Sequence, residues 1–389
     1  MLSFDNTEIS FAGKSDKDLN RSYRLFKIIG SPVVVRMGNA LTRFALAVHL
    51  PIKGIIKATI FKQFVGGENI DECKKTIEEL GKCNVGAILD YSVEGKENEN
   101  DFEHCCKETI ATIERAKNDK HIPFSVFKIT GLARFALLEK VSAEQKLSGE
   151  EEKEFSLVRE RVNKICKRAH DCDVPVFLDA EESWIQLAMD NLANEMMRLF
   201  NKKKAIVYNT FQLYRKDRLS YLQDSFLMAE NGNYFLGAKL VRGAYMEKER
   251  KRAKEMNYPS PIQNTKQDCD KDYDQALELC VNNIERIALC AGTHNEKSSL
   301  YLVELMQKKN ISSADKRICF SQLLGMSDHI SFNLANAGYN VAKYVPYGPV
   351  KEVLPYLIRR AQENTSVKGQ TGRELSLIIK EKRRRKLEV

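Results

Sequence analysis

The sequence predicts an α/β fold, specifically a (β/α)8 barrel of the TIM type, somewhat distorted and preceded by a helical extension. Three observations lead there. Eight apolar, β-rich runs recur after Gly81, each followed by a stretch with helical patterning. Strands that are apolar on both faces and alternate with helices form a parallel sheet covered by those helices. The units fill about 300 residues, a size that suits eight strands closing on themselves. Polar side chains also collect where the apolar runs end, which is the rim on which such barrels place their chemistry.

Residues 1–82 are expected to be a helical segment. RSYRLFKIIG and ALTRFALAVHL have helix-like patterning, and DECKKTIEELGKC reads as an amphipathic helix ending near Gly81. No chemistry is apparent in this part. The expected strands are VGAILDYSV (85–93), PFSVFKIT (123–130), VPVFLDAE (174–181), AIVYNTFQ (205–212), YFLGAKLVRGAY (234–245), RIALCAGTHN (286–295), RICFSQLLG (317–325) and VAKYVPYG (341–348). Segments such as SWIQLAMDNLANEMMRLF, LYRKDRLSYLQDSFLMAE and KSSLYLVELMQKK lie between them as helices. The charged insert SAEQKLSGEEEKEF in the second unit reads as a helical excursion. The barrel is expected over 83–366, and 367–389 form a basic tail.

The last unit organises the chain. KYVPYGPVKEVLPYLIRRAQE, from Lys343 to Glu363, begins as a strand, turns at Pro346, Gly348 and Pro349, and continues as a helix. Proline suits a first helical turn, whose N–H groups lack partners in any case. Val353, Leu354, Leu357 and Ile358 then form one apolar stripe. Arg359 and Arg360 follow, with Glu363 a turn beyond Arg359. Two readings fit this trio: a surface ion pair, or a fork-shaped receptor for a small carboxylate, since planar guanidinium matches that anion in a bidentate way.

Composition narrows the class. The chain has 389 residues, 43% of them hydrophobic and 30% charged, enough to bury a sizeable core. No run of about 18 apolar residues occurs, so no membrane-spanning helix is expected. The N-terminus lacks a signal peptide's apolar core, and an intracellular, cytoplasmic location is expected, peripheral on the inner face of a membrane (the mitochondrial inner membrane in a eukaryote) where a membrane is involved. Ten cysteines contain no C-x-x-C pair, and several sit inside apolar runs, which points to reduced thiols rather than disulfides. His104, Cys105 and Cys106 are the one cluster with metal-ligand residue types; no second cluster completes a site, and no metal is expected.

The net charge is +9, part of it in the tail KEKRRRKLEV. Basic residues are not interleaved with aromatics, and no nucleic-acid partner is expected. The tail, preceded by Leu375, Leu377, Ile378 and Ile379, is either a solvated helix or a contact for an anionic membrane surface. Neither G-x-G-x-x-G nor G-x-x-x-x-G-K-[ST] occurs, so any nucleotide is held another way.

The polar run ends are Lys128, Asp179, Gln212, Lys239 with Arg242, Thr293 with His294, and Tyr344. A single lysine or aspartate at a strand end is usually a loop anchor; six such ends together point to one site. From the residues alone, a Schiff-base lyase using Lys239 or Lys128 and a barrel-derived binding protein without chemistry both remain open.

Read together, VFLDAEES, YNTFQLYRKD, KLVRGAYMEKER, GTHNE, FSQLLGMSDHISF and KYVPYGPVKEVLPYLIRRAQENTS resemble the proline dehydrogenase family, in the spelling of its mitochondrial-type, monofunctional branch. They span about residues 120–366 in the family's order. The resemblance implies an FAD-dependent oxidation of L-proline to Δ1-pyrroline-5-carboxylate, with hydride passing from C5 to flavin N5 and electrons delivered to a quinone. It implies that Arg359 and Arg360 bind the carboxylate, with Lys128 nearby and Glu363 holding the arginines. By the same resemblance Tyr344 packs on the pyrrolidine ring and Leu324, or its neighbour Leu323, supplies an apolar wall. Asp179 is the family's acidic residue beside the lysine, and Asp179, Lys239 and Tyr344 form its catalytic group. The resemblance also implies that Gln212, Lys239, Arg242, Gly243, Ala244, Thr293 and His294 hold FAD non-covalently, with Ala180 against it. Relatives favouring hydroxyproline carry serine in place of Tyr344, so proline is the expected substrate and hydroxyproline the runner-up.

Overall fold

A computed structural model describes residues 2–31, 37, 53–92, 96–366 and 370–388, without the side chains of residue 55, of 362–366 and of 370–371. Eight parallel strands close into a barrel in the order β1 to β8. They are β1 (Val85–Tyr91), β2 (Phe124–Lys128), β3 (Val176–Asp179), β4 (Val207–Gln212), β5 (Leu236–Val241), β6 (Ile287–Gly292), β7 (Ile318–Leu323) and β8 (Val341–Tyr347). Each expected run contains one strand, shorter by one to six residues at one end or both. The thirteen described helices of eight residues or more are α1 (Asp16–Ile29), α2 (Lys74–Gly81), α3 (Glu99–Lys117), α4 (Phe135–Ser142), α5 (Gly149–Cys172), α6 (Gln186–Phe200), α7 (Arg218–Asn231), α8 (Met246–Glu255), α9 (Lys266–Asn282), α10 (Glu296–Lys308), α11 (Asp328–Asn336), α12 (Val350–Ser366) and α13 (Gln370–Arg384).

The expected amphipathic helix ending near Gly81 is α2. RSYRLFKIIG falls in α1 and its C-cap, whereas ALTRFALAVHL lies outside the described residues. The insert SAEQKLSGEEEKEF is not one helix: Ser142 ends α4, 143–148 form a loop, and α5 begins at Gly149. The break has a local cause. The Ser148 side chain accepts from the Glu151 N–H while Glu151 reaches back to the Ser148 N–H, a reciprocal cap that fixes a helix start here. Pro346 also departs from expectation, because it stays within β8, in register with Asp90 of β1. Its carbonyl alone is used there, accepting from Gly66 N at 2.8 Å, so the missing N–H costs no ladder bond. The turn proper is Gly348, at φ +144°, a value that suits glycine, and Pro349 then opens α12 by accepting from Glu352 N.

The chain divides into two compact units, residues 1–92 with 322–389, and residues 93–321. In the first unit, Phe26 of α1, Phe61, Phe64, Met326, Val353 and Leu357 of α12, and Leu377 and Ile378 of α13 share one apolar core. The tail is therefore an amphipathic helix with a covered face. Several of its cations are engaged within the unit: Arg385 bonds Phe11 O, Lys14 O and Asp16, Arg384 pairs with Glu381, and Lys382 lies 4.4 Å from the Tyr23 ring. Among the described residues no helix is long and apolar enough to cross a membrane. All ten cysteines are free thiols, nine of them buried.

In the second unit, β2 to β6 pair in sequence and carry the helices α3 to α10. Gly237 marks the tightest point between β4 and β5. A Cβ built there would lie 2.3 Å from Val207 O, a backbone atom that cannot swing away. Gly237→Ala is therefore expected to lower stability by about 1–3 kcal/mol, the usual penalty for forcing an extra methyl into a packed core. Denaturant titration of the purified variant checks this.

Candidate active site

Two groups of side chains lie near the C-terminal ends of strands in the second unit, and a third lies in the first unit. The first is an ion pair. Lys239 near the end of β5 donates to Asp179, the last residue of β3, and its ammonium also lies 5.6 Å from the Phe177 ring. Lys239 is 5% exposed. A cation this deep survives only with a partner, since an unpaired buried charge is strongly destabilising. Its Nζ is engaged by a carboxylate, which suits a fixed positive charge rather than a nucleophile. Lys128, the last residue of β2, is in register with Asp179, so these two side chains start from the same face of the sheet.

The second group is a cradle around Arg242, just beyond β5. Its Nε donates to Asp270 at 2.8 Å, Nη1 to the Thr293 hydroxyl at 2.7 Å, and Nη2 to Ser298 at 3.0 Å, while the guanidinium sits 4.3 Å from the Tyr273 ring. Four partners on three other segments leave the side chain one orientation. Gly243 follows at φ +133°, and a Cβ there would meet the Tyr214 ring at 2.4 Å, so the turn passes too close for any other residue. Gly243 and Ala244 are exposed on the rim, and His294, after Thr293, is half-buried. Gln212 at the end of β4 donates to Glu181 O at 2.7 Å, and Ala180 is half-buried between Asp179 and that residue. Glu181 in turn accepts from Thr130 N at 3.2 Å and from the Thr130 hydroxyl, fixing the turn after β3.

A latch covers the same turn. Glu249 of α8, fully buried, accepts from Ser183 N and Ser183 Oγ, both at 2.6 Å. Lys248 pairs with Glu182, and Arg252 pairs with Glu139 beneath the Trp184 ring. None of these partners was signalled by the sequence, because each joins residues more than sixty positions apart.

The third group belongs to the first unit. Tyr344 of β8 is buried, and its carbonyl accepts from Leu324 N at 2.9 Å. Leu323 packs against the apolar core of that unit, and Leu324, next in the chain, is half-buried. On α12, Arg360 is 6% exposed with its guanidinium 5.1 Å from the Tyr356 ring, and Arg359 is half-buried. A surface ion pair therefore does not describe Arg360. The Glu363 side chain lies outside the described residues. Among those residues no group of three His, Cys, Asp or Glu side chains could hold a metal ion.

The proline dehydrogenase profile matches residues 73–373. The chain belongs to the proline dehydrogenase family. This is a family of oxidoreductases, as the motifs at the strand ends imply. The chain is 43% identical over 245 residues to proline dehydrogenase 1, mitochondrial, of Drosophila melanogaster, covering 60% of this chain and 36% of that one. It is 34% identical over 384 residues to the Dictyostelium discoideum protein of the same name, covering 87% and 67%. A hydroxyproline dehydrogenase of Xenopus laevis is 32% identical, covering 99% and 90%. Among solved structures, proline utilization A from Bdellovibrio bacteriovorus superposes with a TM-score of 0.71 at 20% identity, covering 92% of this chain and 38% of that one. That likeness is one of fold. The chain thus spans little more than a third of the fly relative and of this solved chain.

Asp270 gives the cradle a pH signature. Burial alone would raise its carboxyl, but Lys266 and Arg242 outweigh burial and hold it below the usual carboxylate range. A depressed carboxylate contributes stability that is fully present above its unfolded value of about 4 and is lost as pH falls through the folded value. Asp270→Asn is expected to lower the melting temperature near neutrality and to flatten the loss of stability below about pH 4. Melting curves of both proteins against pH measure this.

Proposed function

We propose that the chain oxidises L-proline to Δ1-pyrroline-5-carboxylate, using FAD as the immediate electron acceptor and a quinone as the final one. The observation that carries this reading is the buried Lys239–Asp179 pair at the strand ends of a chain in the proline dehydrogenase family.

The residues suit the cofactor. Arg242 is pinned by Asp270, Thr293 and Ser298 and presents a fixed cation, and the turn at Gly243 lets backbone approach a ligand closely. Gln212, Gly243, Ala244, Thr293, His294 and Ala180 would complete the FAD site. FAD, when bound, supplies a two-electron acceptor for the hydride that leaves proline C5. The chain's own residues do the rest. Arg359 and Arg360 grip the carboxylate through charge-assisted bonds, with Lys128 adding positive charge and Glu363 orienting the pair. Tyr344 and Leu324 close on the ring and exclude water, which is a positioning contribution. Lys239, fixed by Asp179, places a cation where negative charge accumulates during the reaction. Proline's amine must be neutral before hydride leaves, so kcat/KM is expected to rise with pH between about 6 and 9. A flat profile would reverse the order of proton and hydride loss.

Hydroxyproline is the second reading, favoured by the Xenopus laevis relative. Tyr344, at a position where the family's hydroxyproline-favouring relatives carry serine, supports proline instead. Delivery to a membrane quinone at the mitochondrial inner membrane, or at the inner face of a bacterial one, would rest on the exposed Arg383 and Lys386, since Lys382, Arg384 and Arg385 are engaged internally.

The purified protein is expected to be yellow, with a band near about 450 nm that bleaches on anaerobic addition of L-proline. A colourless protein that cannot be reconstituted with FAD overturns the reading. Arg359→Met is expected to raise the KM for proline at least about tenfold while the bound flavin is retained, the signature of lost carboxylate binding. Steady-state kinetics and flavin content check both parts.

A further inference from the structure

Lys343 is fully buried in the middle of β8, one residue before Tyr344, and the functional reading gives it no role. Alternation along a strand turns its side chain to the face opposite that of Tyr344. Its ammonium donates to Met326 O at 2.5 Å, to Leu323 O at 3.3 Å and to Asp328 at 2.8 Å. The two carbonyls bracket Leu324 and Gly325. Asp328 is itself held by Lys14 at 2.8 Å.

The turn from Leu323 to Ser327 carries the apolar wall residue, and its backbone is held at nearly every step. Leu324 N bonds Tyr344 O at 2.9 Å, and Met326 N bonds Leu323 O at 3.2 Å. Gly325 O accepts from Gln63 Nε2 at 3.0 Å, and Gln63 is fixed by the Ser22 hydroxyl. Ser327 N donates to Glu374 of α13. Two residues are left-handed, Gly325 at φ +74° and Ser327 at φ +50°. For a residue other than glycine, as at Ser327, backbone in that region persists only where surrounding contacts over-determine it, and such sites concentrate at ligand clamps. A leucine side chain has no hydrogen bond of its own, so the backbone decides where Leu324 points.

We propose that Lys343 is a positioning residue for substrate recognition: its ammonium, with Gln63 and Glu374, fixes the Leu323–Ser327 turn so that Leu324 and Tyr344 form a matched pair of walls. This rests on the reading that those two residues line the proline pocket. A purely structural lysine would instead affect folding, flavin retention and turnover together. The positioning role acts on the fit of the ring, so it moves KM and substrate preference.

The test is the double variant Lys343→Met with Asp328→Asn, which removes the cation together with its buried carboxylate partner. Flavin content and flavin spectrum are expected to match wild type, with kcat within about twofold. The KM for L-proline is expected to rise about tenfold, and the preference for L-proline over 4-hydroxyproline to fall by a similar factor. Unchanged KM and preference overturn the proposal, as does a rise in KM that comes with matching losses of flavin and kcat. Should the double variant not fold, Gln63→Leu releases only the Gly325 carbonyl; the same split, about threefold, supports the proposal and its absence overturns it. A wild-type protein that lacks flavin or does not oxidise proline overturns the proposed function itself, and this inference with it. An active wild type beside a variant with wild-type KM and preference overturns this inference alone.

Discussion

A closed parallel barrel leaves its strands no solvated face. Strands β1 to β8 bond sideways to their neighbours around the closed barrel, and most of their residues are buried. Polar side chains can enter such a strand only at its end, or with partners waiting. This chain follows both rules. Asp179 and Lys128 end their strands, and Lys239 and Lys343, set further in, each meet a carboxylate. The constraint that makes the barrel stable also concentrates chemistry on one rim, because the strands run in one direction.

The fold was legible for the same reason. Near-continuous apolar runs such as VYNTFQ of β4 and ICFSQL of β7 cannot be surface strands, and their spacing leaves room for one crossover helix or two. Local chemistry was less visible where two signals competed. The insert after α4 is rich in good helix formers, yet Ser148 and Glu151 divide it, since a reciprocal cap overrides composition. Pro346 looked like a turn residue because proline lacks an N–H, but at that register β8 uses only the carbonyl.

The strand-end residues of the candidate site were also readable, as polar interruptions of apolar runs. Their supports were not. Arg242 is recognisable, but nothing in its neighbourhood points to Asp270 and Ser298, which lie on α9 and α10. Glu249 reads as one charge among many in a highly charged helix, and only its full burial against Ser183 sets it apart. Lys343 had a signal that could have been used: a lysine inside a strand apolar on both sides demands an explanation. Glu374 and Gln63 had none, because their partners are 47 and 262 positions away.

Arg385, just past α13, bonds the carbonyls of Phe11 and Lys14 and the Asp16 carboxylate, and β1 pairs with β8. The consequence concerns biosynthesis. Residues 11–16 are synthesised long before Arg385 and lack these bonds until it has been made. In the interval they go without these partners, so a truncation that removes Arg385 would be felt at residues 11–16 as well.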